Sequence, residues 1–128
     1  MSRWIDYDYA VLRVVPRVHV ETFVNVGVLL HARTARFLAV RLADPDRVRP
    51  RVAALCPETL DPEAIRRHVD AYAAIANGAG QVGRYTLSER FHWLTAPRSA
   101  VLQTSALRAG QSTDPAAEVE RLFQMYVL

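Results

Sequence analysis

The sequence predicts an α+β domain. An antiparallel sheet of at least four strands, a three-stranded N-terminal meander plus a later strand, carries two main helices on one face. Three observations lead there. Successive runs rich in β-branched and aromatic residues occupy positions 7 to 42 with only short links between them. Two Asp-Pro pairs, Asp61-Pro62 and Asp114-Pro115, each open an amphipathic run. A chain of 128 residues, 51% apolar and 23% charged, makes one domain spanning residues 1–128. At that length a domain buries roughly two-thirds of its unfolded surface and needs no metal or disulfide to hold it.

The elements follow in order. Tyr7 to Val15 is the first strand. Ala10, Leu12 and Val14 line its core face, and Tyr7, Tyr9, Val11, Arg13 and Val15 line a second, partly covered one. Pro16 ends it. Glu21 to Leu30 is almost continuously apolar, which suits a strand buried on both faces near the sheet centre. Asn25 and Gly27 interrupt it on one face, and Gly27 marks a bulge or the close approach of another group. Ala35 to Leu42 is the third strand, and His31-Ala32-Arg33-Thr34 is short enough to be a hairpin link. A short helix from Asp46 to Leu55 is limited by Pro50, with Asp44 and Asp46 flanking Pro45 in a turn. Asp61 caps the first main helix, whose Ile65, Val69, Tyr72 and Ala76 share one face. Asn77-Gly78 closes that helix.

Residues 77–84 carry three of the five glycines and read as a flexible surface loop. Their Gly78-x-Gly80-x-x-Gly83 spacing repeats the letters of a dinucleotide fingerprint. That fingerprint must follow a strand, and this one follows a helix, so it is set aside. Ser88 caps one or two helical turns reaching Leu94. Ala100 to Ser105 is the fourth strand. The second main helix, 114–126, puts Val119, Leu122, Phe123 and Tyr126 in one stripe.

Composition excludes several functions. No run approaches the ~20 apolar residues of a membrane helix. Met1 to Asp6 lacks a signal-peptide core, so a cytoplasmic protein without membrane contact is expected. The single cysteine, Cys56, can form neither an internal bridge nor a multi-cysteine zinc site. His19, His31, His68 and His92 show no metal-pair spacing, and no Gly-x-Ser-x-Gly elbow occurs. No metal, cofactor or catalytic residue is therefore assigned. All sixteen basic residues are arginine, and the net charge is +3. Arg33, Arg36, Arg41, Arg47, Arg49 and Arg51 gather between residues 30 and 51 against only Asp44 and Asp46. That segment could meet a negatively charged partner, although so small a net charge predicts only weak nucleic-acid binding.

The polar residues set in apolar strands are the best candidates for a site. Arg13, Glu21 and Asn25 occupy the first two strands. Arg13 facing Glu21 across a hairpin would either fix the strand register or form a polar site. The Pro97-Arg98-Ser99 turn could bind an anion through its guanidinium and backbone amides, or cap a helix. The candidate binding cluster is Arg13, Glu21, Asn25, Arg98 and Ser99, with Arg98 expected near Glu21 or Asn25.

Tyr9 to Pro16, then Glu21-x-x-x-Asn25-Val26-Gly27-Val28-Leu29-Leu30, resembles the opening of a small bacterial family catalogued as domain of unknown function 3037. Phe91 to Gln103 and the ending Asp114-Pro115 with Leu122-Phe123 resemble it too, so the likeness spans about residues 7 to 126. The chain departs at Arg108-Ala109-Gly110, where relatives more usually carry His-Thr-Gly. The resemblance implies a cytoplasmic accessory protein, often encoded beside a HipA-like kinase, and brings no established activity. Three expectations stand. The first is a non-catalytic protein-interaction module with a HipA-like kinase as partner. The second is a nucleic-acid or anion-binding module using the arginines at 33–51. The third is an enzyme built around Arg13, Glu21, Asn25, Arg98 and Ser99.

Overall fold

Strands β1 (Ile5–Arg17), β2 (Thr22–Ala32) and β3 (Phe37–Leu42) form the N-terminal meander, followed by helices α1 (Pro45–Leu55), α2 (Pro62–Ala76) and α3 (Leu87–Leu94). Two short strands, β4 (Leu102–Thr104) and β5 (Arg108–Ser112), precede helix α4 (Pro115–Tyr126). The structure is a computed structural model that describes residues 3–17, 22–56, 61–97 and 100–127. All strand pairs are antiparallel. The sheet runs β3-β2-β1, and β4 and β5 share the outer edge of β1. β4 lies beside Leu12–Val14 and β5 beside Ile5–Tyr9. Between them Ser105 stays tied to β1, its amide donating to the Val11 carbonyl at 2.8 Å. The Val11 amide donates back to Ser105 Oγ at 2.9 Å. The two short strands thus behave as one strand with a break.

The α+β class and the meander hold, but the helices do not share one face. Leu12, Val14 and Leu29 pack with Ile65, Tyr72 and Ala76 of α2 and with Phe91 and Leu94 of α3. Tyr7, Tyr9, Val28 and Leu30 alternate with those positions and pack with Val119, Leu122 and Phe123 of α4. The sheet is therefore covered on both sides, which is why β2 is apolar on both faces.

The helix starts are set by side-chain caps. Asp61 Oδ1 accepts from the Glu63 amide at 3.0 Å, and Asp114 Oδ1 from the Ala117 amide at 3.3 Å. Asp44-Pro45 proves to be a third such start, with Asp44 Oδ1 accepting from Asp46 at 2.9 Å, and α1 runs on through Pro50. Thr86, rather than Ser88, caps α3: its hydroxyl meets both the amide and the carboxylate of Glu89. The glycine segment after α2 closes into a tight turn. Gly83 is buried there, and a Cβ on it would lie 2.2 Å from the carbonyl carbon of Gly78.

On the α2–α3 side, His31 is only 5% exposed and stacks on Phe91 with ring centres 5.0 Å apart. Its Nε2 lies 3.2 Å from Ser88 Oγ. Burial pulls its pKa below the ordinary 6.5; the Asp8 carboxylate pulls the other way, and His92 and Arg33 add to the lowering. A folded-state pKa below the unfolded value means that folding favours neutral His31. Its contribution to stability is present above about pH 6.5 and fades as pH falls through that value toward the folded pKa. Melting temperature is expected to decline between about pH 6.5 and 5 more steeply in the parent than in His31→Gln. Parallel profiles for the two proteins would contradict this assignment.

Candidate functional site

A bulge in β2 decides which polar residues meet. Leu12 pairs with Gly27, yet the next residue, Arg13, pairs with Asn25, so Val26 is the extra residue. Asn25 and Gly27 consequently lie on opposite faces, not on one. Gly27 faces the α1–α3 side, where a Cβ would sit 2.9 Å from the Arg41 carbonyl oxygen of β3. Asn25 faces the α4 side with Arg13, its direct neighbour across the β1–β2 ladder.

Around this pair several groups collect. The Asn25 side-chain NH2 donates to the Tyr126 carbonyl at the end of α4 at 3.0 Å. That bond fixes the amide orientation, because a carbonyl cannot donate. Asn25 Oδ1 is left buried with no hydrogen-bond partner, and Arg13 Nε is the other buried side-chain atom in that state among the described residues. The Arg13 guanidinium carbon stands 4.1 Å from the centre of the Phe23 ring. Tyr9 and Tyr126 share a hydroxyl–hydroxyl hydrogen bond of 2.9 Å. Arg108 pairs with Tyr9 across the β1–β5 ladder and so belongs to the same face.

Electrostatics marks the cluster as cationic. Burial lowers the Arg13 pKa, and the Arg108 guanidinium lowers it further. The group nonetheless stays charged at neutral pH. The Tyr9 hydroxyl is pushed up by burial and by Tyr126, with Arg108 opposing. Among the described residues the ion pairs join Arg41 to Glu120, Arg49 to Glu63, Arg66 to Glu63 and Asp70, and Arg121 to Glu118. Neither Arg13 nor Arg108 enters one.

Nearby, the same face holds a satisfied polar network that serves the fold. Tyr7 donates to Glu118 Oε2 at 2.7 Å, and Arg121 holds the other carboxylate oxygen. Burial and the hydrogen bond to Glu118 raise the Tyr7 pKa to about 12, while Arg121 and Tyr7 hold Glu118 below the usual carboxylate range. Every charge in that network has a partner, whereas the Arg13 cluster has an excess of two.

Of the residues expected at the site, the structure brings Arg13 and Asn25 together. Glu21, Arg98 and Ser99 lie outside the described residues, as does His19. Arg108, Tyr9, Tyr126 and Phe23 were not anticipated. Arg108 stood out only as a departure from a family pattern. Of the arginines at 33–51, Arg41 pairs with Glu120 of α4, while Arg49 pairs with Glu63 of α2, on the other side of the sheet. Burial pushes the Cys56 thiol up, and Asp61 adds to the shift, which disfavours the nucleophilic thiolate. No group of three or more His, Cys, Asp or Glu among the described residues is placed to hold a metal ion. No helix among them is long and apolar enough to cross a membrane.

Fold and site together define a small α+β domain whose two-sided sheet shelters a cationic polar cluster at the end of α4. The chain belongs to the family described as "Protein of unknown function (DUF3037)", which matches residues 9–127. No curated protein and no solved structure matches it.

Proposed function

We propose that the chain is a non-catalytic binding module whose ligand presents an oxyanion to Arg13 and Arg108. One observation carries this reading. The two buried side-chain atoms left without partners among the described residues, Arg13 Nε and Asn25 Oδ1, belong to residues directly opposite each other on adjacent strands. An unpaired buried polar atom costs about 1–3 kcal/mol, and more when charged. Two such atoms on directly paired residues, close to a second guanidinium, support a reading in which an oxyanion docks there. The groups assembled are two guanidiniums, two phenols and a carboxamide, none of them a base at neutral pH. That supports binding rather than catalysis. It also moves the anion-binding expectation from the arginines at 33–51 to Arg13 and Arg108.

Calorimetric titration of the purified chain with inorganic phosphate tests the proposal. Saturable one-site binding, weakened by added salt, is expected. The absence of both heat and thermal stabilisation up to about 10 mM phosphate, a level at which even millimolar affinity would register, would count against it.

A second reading is a protein partner, with a HipA-like kinase the candidate. Its support is that Phe23 and Leu107, adjacent in space or sequence to the two arginines, are large apolar side chains left about half exposed. Loss of binding to such a purified kinase in Phe23→Ser/Leu107→Ser would favour it.

A further inference from the structure

The orphan acceptor at Asn25 says more about the ligand than the arginines do. Guanidiniums accept any oxyanion, because they only donate. Asn25 Oδ1 only accepts. Its Nδ2 is already committed to the Tyr126 carbonyl, so the amide cannot turn over to offer a donor instead. A ligand whose oxygens all lack protons would press a lone pair against Oδ1 and leave it unsatisfied. A ligand with both a charged oxygen and an O–H satisfies Arg13 Nε and Asn25 Oδ1 together.

Resting on the anion-binding reading above, we infer that the site selects a phosphate that keeps an ionisable oxygen, as orthophosphate or a terminal phosphomonoester. Its charged oxygens lie toward Arg13 and Arg108, and its O–H donates to Asn25 Oδ1. Sulfate and phosphodiesters carry negative charge but no proton at neutral pH, so they leave the acceptor bare. The phosphate backbone of nucleic acid and the diester of a phospholipid are excluded on the same ground. The Phe23 ring over the Arg13 guanidinium is 45% exposed, so this side of the pair borders solvent.

Selection by a proton makes the affinity depend on pH. The second ionisation of a phosphomonoester lies near pH 6. The groups that face the ligand among the described residues are Arg13 and Tyr9 on β1, Arg108 on β5, Tyr126 on α4 and Asn25 on β2, none of them a histidine or a carboxylate. Affinity for a monoester therefore falls as pH rises past 6, at least tenfold by about pH 8, although the dianion is more strongly charged.

The experiment is calorimetry at about pH 5.5, where the monoester keeps its proton, and at fixed ionic strength, with four probes: orthophosphate, phenyl phosphate, dimethyl phosphate and sulfate. Orthophosphate, phenyl phosphate or both bind at least tenfold tighter than sulfate and dimethyl phosphate. Which of the two wins tells a free phosphate from a phosphorylated ligand. In Asn25→Leu the preferred phosphate falls to the level of sulfate; in Asn25→Thr, which keeps an acceptor hydroxyl, part of the preference survives and shows that the site is still folded. Equal binding of sulfate and phosphate by the parent overturns the selection and leaves the anion site standing. No binding by any probe overturns the anion site itself.

Discussion

The double variant Arg13→Leu/Arg108→Leu is expected to bind phosphate about 10²- to 10⁴-fold more weakly than the parent while melting no lower. Hydrogen bonds to charged groups contribute about 1.5–3 kcal/mol each, so losing two contacts gives about 3–6 kcal/mol, and 1.4 kcal/mol is tenfold. The stability half of this prediction is the more diagnostic one. Arg13 is partly buried, its charge is disfavoured by burial and by Arg108, and no described residue neutralises it. Leucine removes that repulsion and the unpaired Nε together. What it forfeits is the contact with the half-exposed Phe23 ring, about 0.5–1 kcal/mol, and the interaction of Arg108 with the Tyr9 hydroxyl. Residues retained for binding at a cost to stability behave in this way. A variant that keeps phosphate affinity but melts well below the parent would show that the two arginines serve the fold instead.

Phe91→Ala is expected to cost about 3–5 kcal/mol, the usual range for emptying a buried aromatic site. Phe91 is 1% exposed and packs in the core between the sheet, α2 and α3, with the His31 ring against it. The helix that carries it is short, and the Tyr72 hydroxyl of α2 holds the Leu94 carbonyl at its far end. Few other residues in that helix can take over the anchoring, since Leu94 is the only other one fully buried. For a domain of this size the loss corresponds to a fall in melting temperature of about 10–20 °C. Thermal unfolding followed by circular dichroism measures it. A fall of less than about 3 °C would mean that Phe91 does not fill the core as described.

The parts of this fold written in local chemistry were readable from the sequence. Asp61-Pro62 and Asp114-Pro115 start helices because an aspartate cap and an N1 proline act within one turn. The alternation in β1 and the unbroken apolarity of Val26 to Leu30 are equally local. The latter already implied cover on both faces, an implication at odds with placing both helices on one. What escaped were features fixed by distant partners. β5, Arg-Ala-Gly-Gln-Ser, has no β-branched or aromatic residue and is a strand because β1 offers it an edge. Its Gly110 is needed because the Tyr7 ring lies over it on the way to Glu118: a Cβ would sit 2.5 Å from the Tyr7 hydroxyl. The bulge at Val26 reverses the face of Asn25, and spacing alone put Asn25 with Gly27. Half of the site therefore came from reading Arg13 and Asn25 as odd residues in apolar strands. The other half, Arg108 and Tyr126, needed the β1–β5 pairing and the α4 packing that bring them there.

The central claim is that an oxyanion belongs between Arg13 and Asn25, and its most direct test follows those two side chains by NMR. In uniformly ¹⁵N-labelled protein, the Arg13 Nε–H and Asn25 NH2 resonances are monitored as inorganic phosphate is added. Arg13 Nε–H is expected to move downfield along a saturable curve, the Arg108 Nε–H and the Asn25 amide to follow with the same midpoint, and the Asn25 response to vanish in Arg13→Leu/Arg108→Leu. A saturable response confined to other amides, with Arg13 Nε–H unmoved at saturation, would contradict it.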